Sequence, residues 1–231
     1  FDERVLSTVM HEWAPGAKII HIDVDPAEIS KNRGAHIGIA GESALALAAI
    51  GDVYAALPEK HDSSQRSEWR QKINKWKADF PYEVDTDTDG AIPPQRVVQA
   101  LHSITRGQAI VATDVGQHQM FAAQHYLFDE PRRWVTSGGL GTMGFGLPAA
   151  LGAQVALGKD QLVIDIAGDG SFEMTLQELS TAMMYDLPVK VIILNNGYLG
   201  MVRQWQEMFW EGKYAGTSYE AFQPNFAEIA K

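Results

Sequence analysis

Cysteine is absent from the 231 residues, which excludes disulfides, thiolate metal centres and a cysteine nucleophile and fits a reducing compartment. No apolar run reaches the roughly 18–20 residues that span a bilayer. Lysine and arginine never gather into a basic run, and 19 of them face 29 Asp and Glu for a net charge of −10. Nucleic acid and anionic membranes are therefore poor partners, and a small-molecule role is favoured. The start, Phe1-Asp2-Glu3-Arg4, has neither an initiator Met nor a signal-peptide pattern. Residues 224–231 read as the first turns of an amphipathic helix that stops without a cap, so both ends are expected to be cut from a longer polypeptide. What is present, 45% apolar, 21% charged and 10% aromatic residues, lies in the globular range and suffices for one large domain or parts of two.

The apolar, β-branched run at 18–23 predicts a buried strand, and the helix formers at 43–57 predict a helix with apolar side chains on one face. Residues 1–58 thus read as strand and helix pieces of an α/β layer. Polar stretches surround a Trp-bearing helix near 66–78, so 59–92 reads as a connector between domains. From 93 onward the pattern gives helix 94–104, strand 109–113, helix 117–127, a short strand 133–136, a Gly-rich turn, helix 144–157, strand 161–167, helix 173–185 and strand 189–194. Alternating strands and helices predict an α/β fold with parallel sheets flanked by helices. The strands near 162–167 and 189–194 are expected to be buried on both faces. Phe172, Leu176, Leu179 and Met183 recur at helical spacing as one core stripe.

The chemistry concentrates just after those two strands, in Gly168-Asp169-Gly170-Ser171 and Asn195-Asn196-Gly197-Tyr198. Ligands of open parallel sheets bind outside the carboxyl ends of the strands, so a carboxylate and a carboxamide are delivered to one crevice. The glycines let the backbone pass close to a ligand, and the N-terminal end of helix 173–185 points at the same place and favours phosphate. Asp and Asn oxygens, a main-chain carbonyl and phosphate oxygens make an octahedral Mg²⁺ site bridging a diphosphate. Taken singly, Asp after a strand is often a helix cap and Asn-Asn-Gly a turn. The pair, 27 residues apart across a strand–helix–strand unit, is more specific. Gly139-Leu140-Gly141-Thr142-Met143-Gly144 also satisfies the dinucleotide-binding pattern, but the segment before it is too polar and short for a buried first strand, and Asp165 lies mid-strand, out of reach of a ribose.

Gly-Asp-Gly followed one strand–helix–strand unit later by Asn-Asn resembles the thiamine diphosphate enzymes. Gly116-Gln117-His118-Gln119-Met120, the run Ser137 to Ala150, Gly200-Met201-Val202-Arg203-Gln204-Trp205 and Phe1-Asp2-Glu3-Arg4 narrow the resemblance to the acetohydroxyacid (acetolactate) synthases, over essentially the whole chain. The resemblance implies that 1–58 are the back of a central flavin-binding domain and 93–231 a truncated thiamine diphosphate domain, the N-terminal domain being missing. It implies Mg²⁺ on Asp169, Asn196 and the Tyr198 carbonyl. The cofactor would be held by Val115, Gly116, Gln117, His118, Gly141, Thr142, Met143, Asp169, Gly170, Ser171, Asn196, Tyr198, Leu199 and Met201, with Met143 wedged beneath to bend it. Phe1, Asp2, Asp23, Val24, Glu42 and Ser43 match positions around FAD, and Arg4 a substrate channel. Trp205 would shape the pocket that separates 2-ketobutyrate from pyruvate.

The implied reaction decarboxylates pyruvate and transfers the two-carbon unit to a second 2-ketoacid, an early step of branched-chain amino acid biosynthesis. It further implies a homodimer or homotetramer with shared active sites, an activating glutamate outside this chain, a small regulatory subunit, and a cytoplasmic (bacterial) or plastid or mitochondrial setting. The isolated fragment is expected to be inert. Two departures stand out: Glu3 where the family usually has Asp, and Gly197-Tyr198 in place of a more polar pair. The rivals are another thiamine diphosphate enzyme of 2-ketoacids, such as glyoxylate carboligase or pyruvate oxidase, and a non-catalytic nucleotide-binding module.

Overall fold

The computed structural model describes residues 6, 9, 11–58, 63–84 and 90–231, and the chain divides into two compact units, Phe1–Phe80 and Pro81–Lys231. The expectations attached to Phe1, Asp2, Glu3 and Arg4 lie outside the described residues. The division falls inside the stretch 59–92.

In the first unit, β1 (Ile20–Asp23) pairs in parallel with β2 (Ile37–Ala40), Asp23 standing opposite Ala40. The apolar pattern does not foresee β2, because Ile-Gly-Ile-Ala is too short a run. α1 (Ser43–Ala56) follows. Its apolar residues do not form the expected single stripe, since Leu45, Leu47 and Val53 are all exposed. α2 (Ser67–Asp79) carries Trp69 and Trp76 two turns apart, edge to face at 5.6 Å. The Lys72 ammonium lies between them in sequence, on the same helix face, 4.9 Å from the Trp76 ring centre, a cation–π contact.

The second unit is built on a four-stranded sheet of order β4-β3-β5-β6, comprising β4 (Trp134–Thr136), β3 (Ile110–Thr113), β5 (Val163–Gly168) and β6 (Lys190–Leu194). Every pairing is parallel, as the alternation of strands and helices requires. β3 and β5 are buried throughout. β6 is an edge strand and only half-buried, which corrects the expectation of burial on both faces. Side chains alternate across the sheet. Val111, Ile164 and Ile166 pack with Val98 of α3 (Pro94–Thr105) and Ala122 of α4 (Gln117–His125), whereas Ile110, Ala112 and Val163 pack with Ala150 of α5 (Gly146–Leu157). α3 starts with Pro94, whose fixed φ suits a first helical position.

The expected single helix 173–185 is replaced by α6 (Asp169–Glu173), a 3-10 turn (Leu176–Glu178) and α7 (Leu179–Met184). At the break the Thr175 hydroxyl donates to the Gly144 carbonyl at 3.1 Å, a tertiary bond that overrides local helix periodicity. Phe172 is buried beside Leu147, with Leu176 and Leu179 packed against them. Once the helical phase is lost, Met183 turns outward and is 81% exposed. α8 (Gly200–Phe209) follows β6, and α9 (Phe226–Ile229) is capped at its start by Asn225 Oδ1, which accepts from the N–H groups of Ala227 and Glu228. No described helix is long and apolar enough to cross a membrane.

This packing sets a stability contrast. Ile166→Ala, at a fully buried site, should destabilise the complete polypeptide by about 2–5 kcal/mol. Met183→Ala should stay within about 0.5 kcal/mol. Urea denaturation of both variants checks the assignment.

Candidate active site

Three neighbouring parallel strands, β3, β5 and β6, end on the same edge of the sheet, so their outgoing turns meet there. The first turn carries Val115, Gly116, Gln117 and His118 into α4, the second Asp169, Gly170 and Ser171 in α6, and the third Asn196, Tyr198, Leu199 and Met201 toward α8. All line one cavity of about 740 Å³, with Met143 from the turn before α5. Apolar residues 91, 92 and 97 and Phe121 close one side.

Asp169 is buried, and its Oδ2 accepts from the Gly197 N–H at 2.7 Å and from the Gln223 amide. Asn196 Oδ1 accepts from the Tyr198 N–H at 3.0 Å, and this Asx turn leaves the Tyr198 carbonyl pointing to the Tyr219 hydroxyl, which donates to it at 3.2 Å. Tyr219 is held by an antiparallel bridge between Tyr198 and Ser218. Burial first, then the charge of Asp169, push its phenol above the usual range, so it stays a donor. Gly170 leaves room for that phenol: a Cβ there would lie 2.4 Å from Tyr219 Oη and 2.9 Å from Leu199 Cδ2.

His118 opens α4 and is buried, with Nε2 lacking a partner among the described residues. Burial lowers its pKa to about 4, against a smaller opposing effect of a hydrogen bond that the ring donates to the Asp114 backbone carbonyl, so the ring is neutral at pH 7. A buried nitrogen left unpaired costs about 1–3 kcal/mol, which a hydrogen-bonding group of a bound ligand would relieve. Gly168 gives the ring its place, since a Cβ there would sit 2.8 Å from His118 Nδ1. Gln117 Nε2 donates to Gln204 Oε1 at 3.0 Å, tying the first turn to α8.

The donor set fits a hard cation: one carboxylate, one carboxamide oxygen and one carbonyl suit Mg²⁺. The described residues contain no cluster of three or more His, Cys, Asp or Glu that could hold a metal. A single carboxylate leaves a divalent charge half-neutralised, so the remaining negative charge has to come from a ligand such as a diphosphate.

Gly141 and Thr142 do not line the cavity. Their N–H groups donate to Ser137 Oγ at 3.2 and 3.1 Å, and the turn they form reaches the cavity only through Met143. Trp205 also lies outside it, 60% exposed and edge to face with Phe209 at 5.7 Å, one helical turn beyond Met201. In the first unit, the Gly41 N–H donates to the Asp23 carbonyl at 2.8 Å, which sets Glu42 and Ser43 beside Asp23 and the exposed Val24 at the carboxyl ends of β1 and β2. Sequence reasoning missed Tyr219 and Gln223. Nothing in the local pattern of Thr217-Ser218-Tyr219 marks them, because their contacts to 169 and 198 are long-range.

A cavity assembled from strand ends, with a carboxylate and a carboxamide converging on it, defines a cofactor-binding α/β domain. Residues 114–231 match the family described as thiamine pyrophosphate enzyme, C-terminal TPP binding domain, and the chain belongs to that family. It is 48% identical to the acetolactate synthase large subunit of Haemophilus influenzae, with all of this chain and 39% of that protein covered. It is 45% identical to the acetolactate synthase isozyme 3 large subunit of Escherichia coli, over all of this chain and 40% of that one. It is 47% identical to the chloroplastic acetolactate synthase 2 of Nicotiana tabacum, over 99% of this chain and 34% of that one. The chain thus spans two-fifths or less of the length of these curated relatives.

The buried imidazole generates a pH prediction. The unfolded chain takes up a proton near pH 6.5 that folded His118 refuses until about pH 4, so its contribution to stability is full above 6.5 and is lost as pH falls toward 4. His118→Gln should flatten that acid slope in denaturation measured across the interval.

Proposed function

We propose that the chain is part of an acetolactate synthase: an enzyme that decarboxylates pyruvate and transfers the two-carbon unit to pyruvate or 2-ketobutyrate, ahead of branched-chain amino acids. The observation that carries this reading is the convergence of Asp169, Asn196, Tyr198 and His118 on one cavity. The relatives' names support the choice of reaction. Thiamine diphosphate, when bound, supplies the electron sink for decarboxylation and two-carbon transfer.

The chain's own groups bind and orient. Asp169, Asn196 Oδ1 and the Tyr198 carbonyl would hold Mg²⁺ after releasing Gln223, the Tyr198 N–H and the Tyr219 hydroxyl. Gln117, His118, Gly170 and Ser171 would meet phosphate oxygens, the neutral His118 adding no charge there. Val115 would flank that turn. Met143 would face the aminopyrimidine as an apolar, adaptable wedge, and the roles of the Gly141 carbonyl and Thr142 require their turn to extend the cavity beyond Met143. Leu199 and Met201 would keep water from the reacting end. Because Trp205 lies outside the cavity, its role as a specificity wall requires an acceptor pocket opening beyond Met201. Arg4 would stand at the substrate channel.

Residues 1–58 would be the back of a flavin-binding domain, with Phe1, Asp2, Asp23, Val24, Glu42 and Ser43 around FAD. Residues 59–92 would connect it to the cofactor domain, 93–231. The designation of two relatives as large subunits supports a small regulatory partner. A homo-oligomer with an activating glutamate from elsewhere would complete the site, in the bacterial cytoplasm or an organelle. The other thiamine diphosphate reactions of 2-ketoacids are disfavoured by the identity to these synthases over the whole chain.

Asp169→Ala in the complete polypeptide should abolish Mg²⁺-dependent thiamine diphosphate binding, because it removes the only formal anion among the three protein ligands. Fluorescence quenching with and without chelator measures this, and unchanged affinity would remove the metal assignment. Trp205→Leu should lower the 2-ketobutyrate-to-pyruvate product ratio about tenfold, since one added methyl group is worth about 1–3 kcal/mol. Competition between the two ketoacids reads that ratio directly.

A further inference from the structure

We propose that Asp114 and Asp165 share one proton and that this buried pair is a positioning device, fixing the turn at residues 144–146 and through it Met143 at the cavity. The pair itself stands on geometry. The purpose assigned to Met143 rests on the thiamine diphosphate reading.

Asp165 is the third residue of β5, in register with Ala112 of β3, and Asp114 follows β3 directly. Both carboxyl groups are wholly inaccessible, 0% exposed. Asp114 Oδ1 accepts from the Gly146 N–H at 2.8 Å. Asp114 Oδ2 and both oxygens of Asp165 have no partner among the described residues. The two groups crowd one spot: a Cβ on Gly146 would fall 2.4 Å from Asp165 Oδ1 and 2.9 Å from Asp114 Cγ. Only glycine lets the start of α5 pass over them.

Two ionised carboxylates in so dry a place would repel, and the hydrogen-bond donors around Asp114 serve only one of them. One proton changes the count. A protonated Asp165 donates its O–H to Asp114 Oδ2, two unpartnered oxygens become a hydrogen bond, and the one remaining negative charge faces the N–H groups of the turn. The groups acting on Asp114 are the N–H groups of Gly146, Gly144 and Phe145 and the Ser171 hydroxyl, with burial the larger and opposing influence. His118, on α4 next to Asp114, is held neutral by burial. Burial first, then the charge of Asp114, push Asp165 up to about 8.

The anchored turn is the one that carries Met143. Gly144 has φ +85°, and its carbonyl also accepts from Thr175, so the turn is held from the Asp114 side and from the break after α6. Ionisation of Asp165 would place a second charge beneath it and loosen its seat. The sign follows from linkage: the folded state keeps a proton between about 4 and 8 that the unfolded state has released. Stability therefore declines as pH rises through that window, and is level above it.

The test uses the complete polypeptide, wild type and Asp165→Asn, whose carboxamide can still donate to Asp114 but cannot titrate. Infrared spectroscopy should show the carbonyl stretch of a protonated carboxylic acid in the wild type at neutral pH, fading with a midpoint near 8 and missing from D165N. No such band, or a band that persists in D165N, overturns the shared proton. Thiamine diphosphate affinity, read by quenching, should weaken in the wild type by about tenfold for each pH unit above about 8 and stay level in D165N. A level wild-type curve overturns the positioning role. If thiamine diphosphate fails to bind at any pH, the reading of the cavity fails, and the infrared band still decides the pair. Should D165N not fold, Asp114→Asn gives the same readout: the band remains, and its midpoint falls because the neighbouring charge is gone.

Discussion

Parallel strands lead out on one edge, and everything chemical in the second unit depends on that constraint. The hydrogen-bonded register of β3, β5 and β6 forces three separate turns to the same side. None of the three could make a site alone. Together they deliver an imidazole, a carboxylate and a carboxamide from sequence positions far apart, at spacings set by the strand separation of the sheet rather than by the side chains.

Such crowding needs room. The turns are close enough that side chains from one fill the space above the glycines of another, as His118 does over Gly168 and Tyr219 over Gly170. The site is correspondingly pre-packed: the Asp169 carboxylate and the Tyr198 carbonyl already hold hydrogen bonds from Gln223 and Tyr219. These bonds keep the oxygens satisfied in a buried setting, where an unmet acceptor is expensive. A cation arriving there would exchange hydrogen bonds for coordination instead of filling a void.

Much of the fold was legible because its signals are short-range. The apolar runs of β5 and β6, Pro94 at the start of α3 and the turns at Gly168 and Asn195 each announce themselves within a few residues. Resemblance then supplied roles that no local pattern contains. What stayed hidden depends on long-range contacts. The break after α6 is set by Thr175 reaching Gly144, and the exposure of Met183 follows from it. β2 is too brief to stand out, and the edge position of β6 is a property of the sheet, not of its sequence. Tyr219 and Gln223 act on residues some twenty and fifty positions earlier. Asp165 reads from the sequence only as a mid-strand residue out of reach of a ribose, and its crowding with Asp114, which follows β3, is a long-range contact.

The spot above Gly146 also constrains how this sequence can change. Every other amino acid brings a β-carbon, and any β-carbon there meets a carboxyl oxygen, a carboxyl carbon and a main-chain nitrogen, all within 3 Å. A substitution at 146 therefore cannot be rescued by one neighbouring change. Shrinking Asp165 would remove one contact, strand Asp114 and leave the Asp114 main-chain nitrogen 2.7 Å away, and shrinking Asp114 would release the Gly146 N–H and leave that same nitrogen in place. Position 146 is fixed by the main chain at 114 as well as by the two carboxyl groups, so a library randomised there should return glycine.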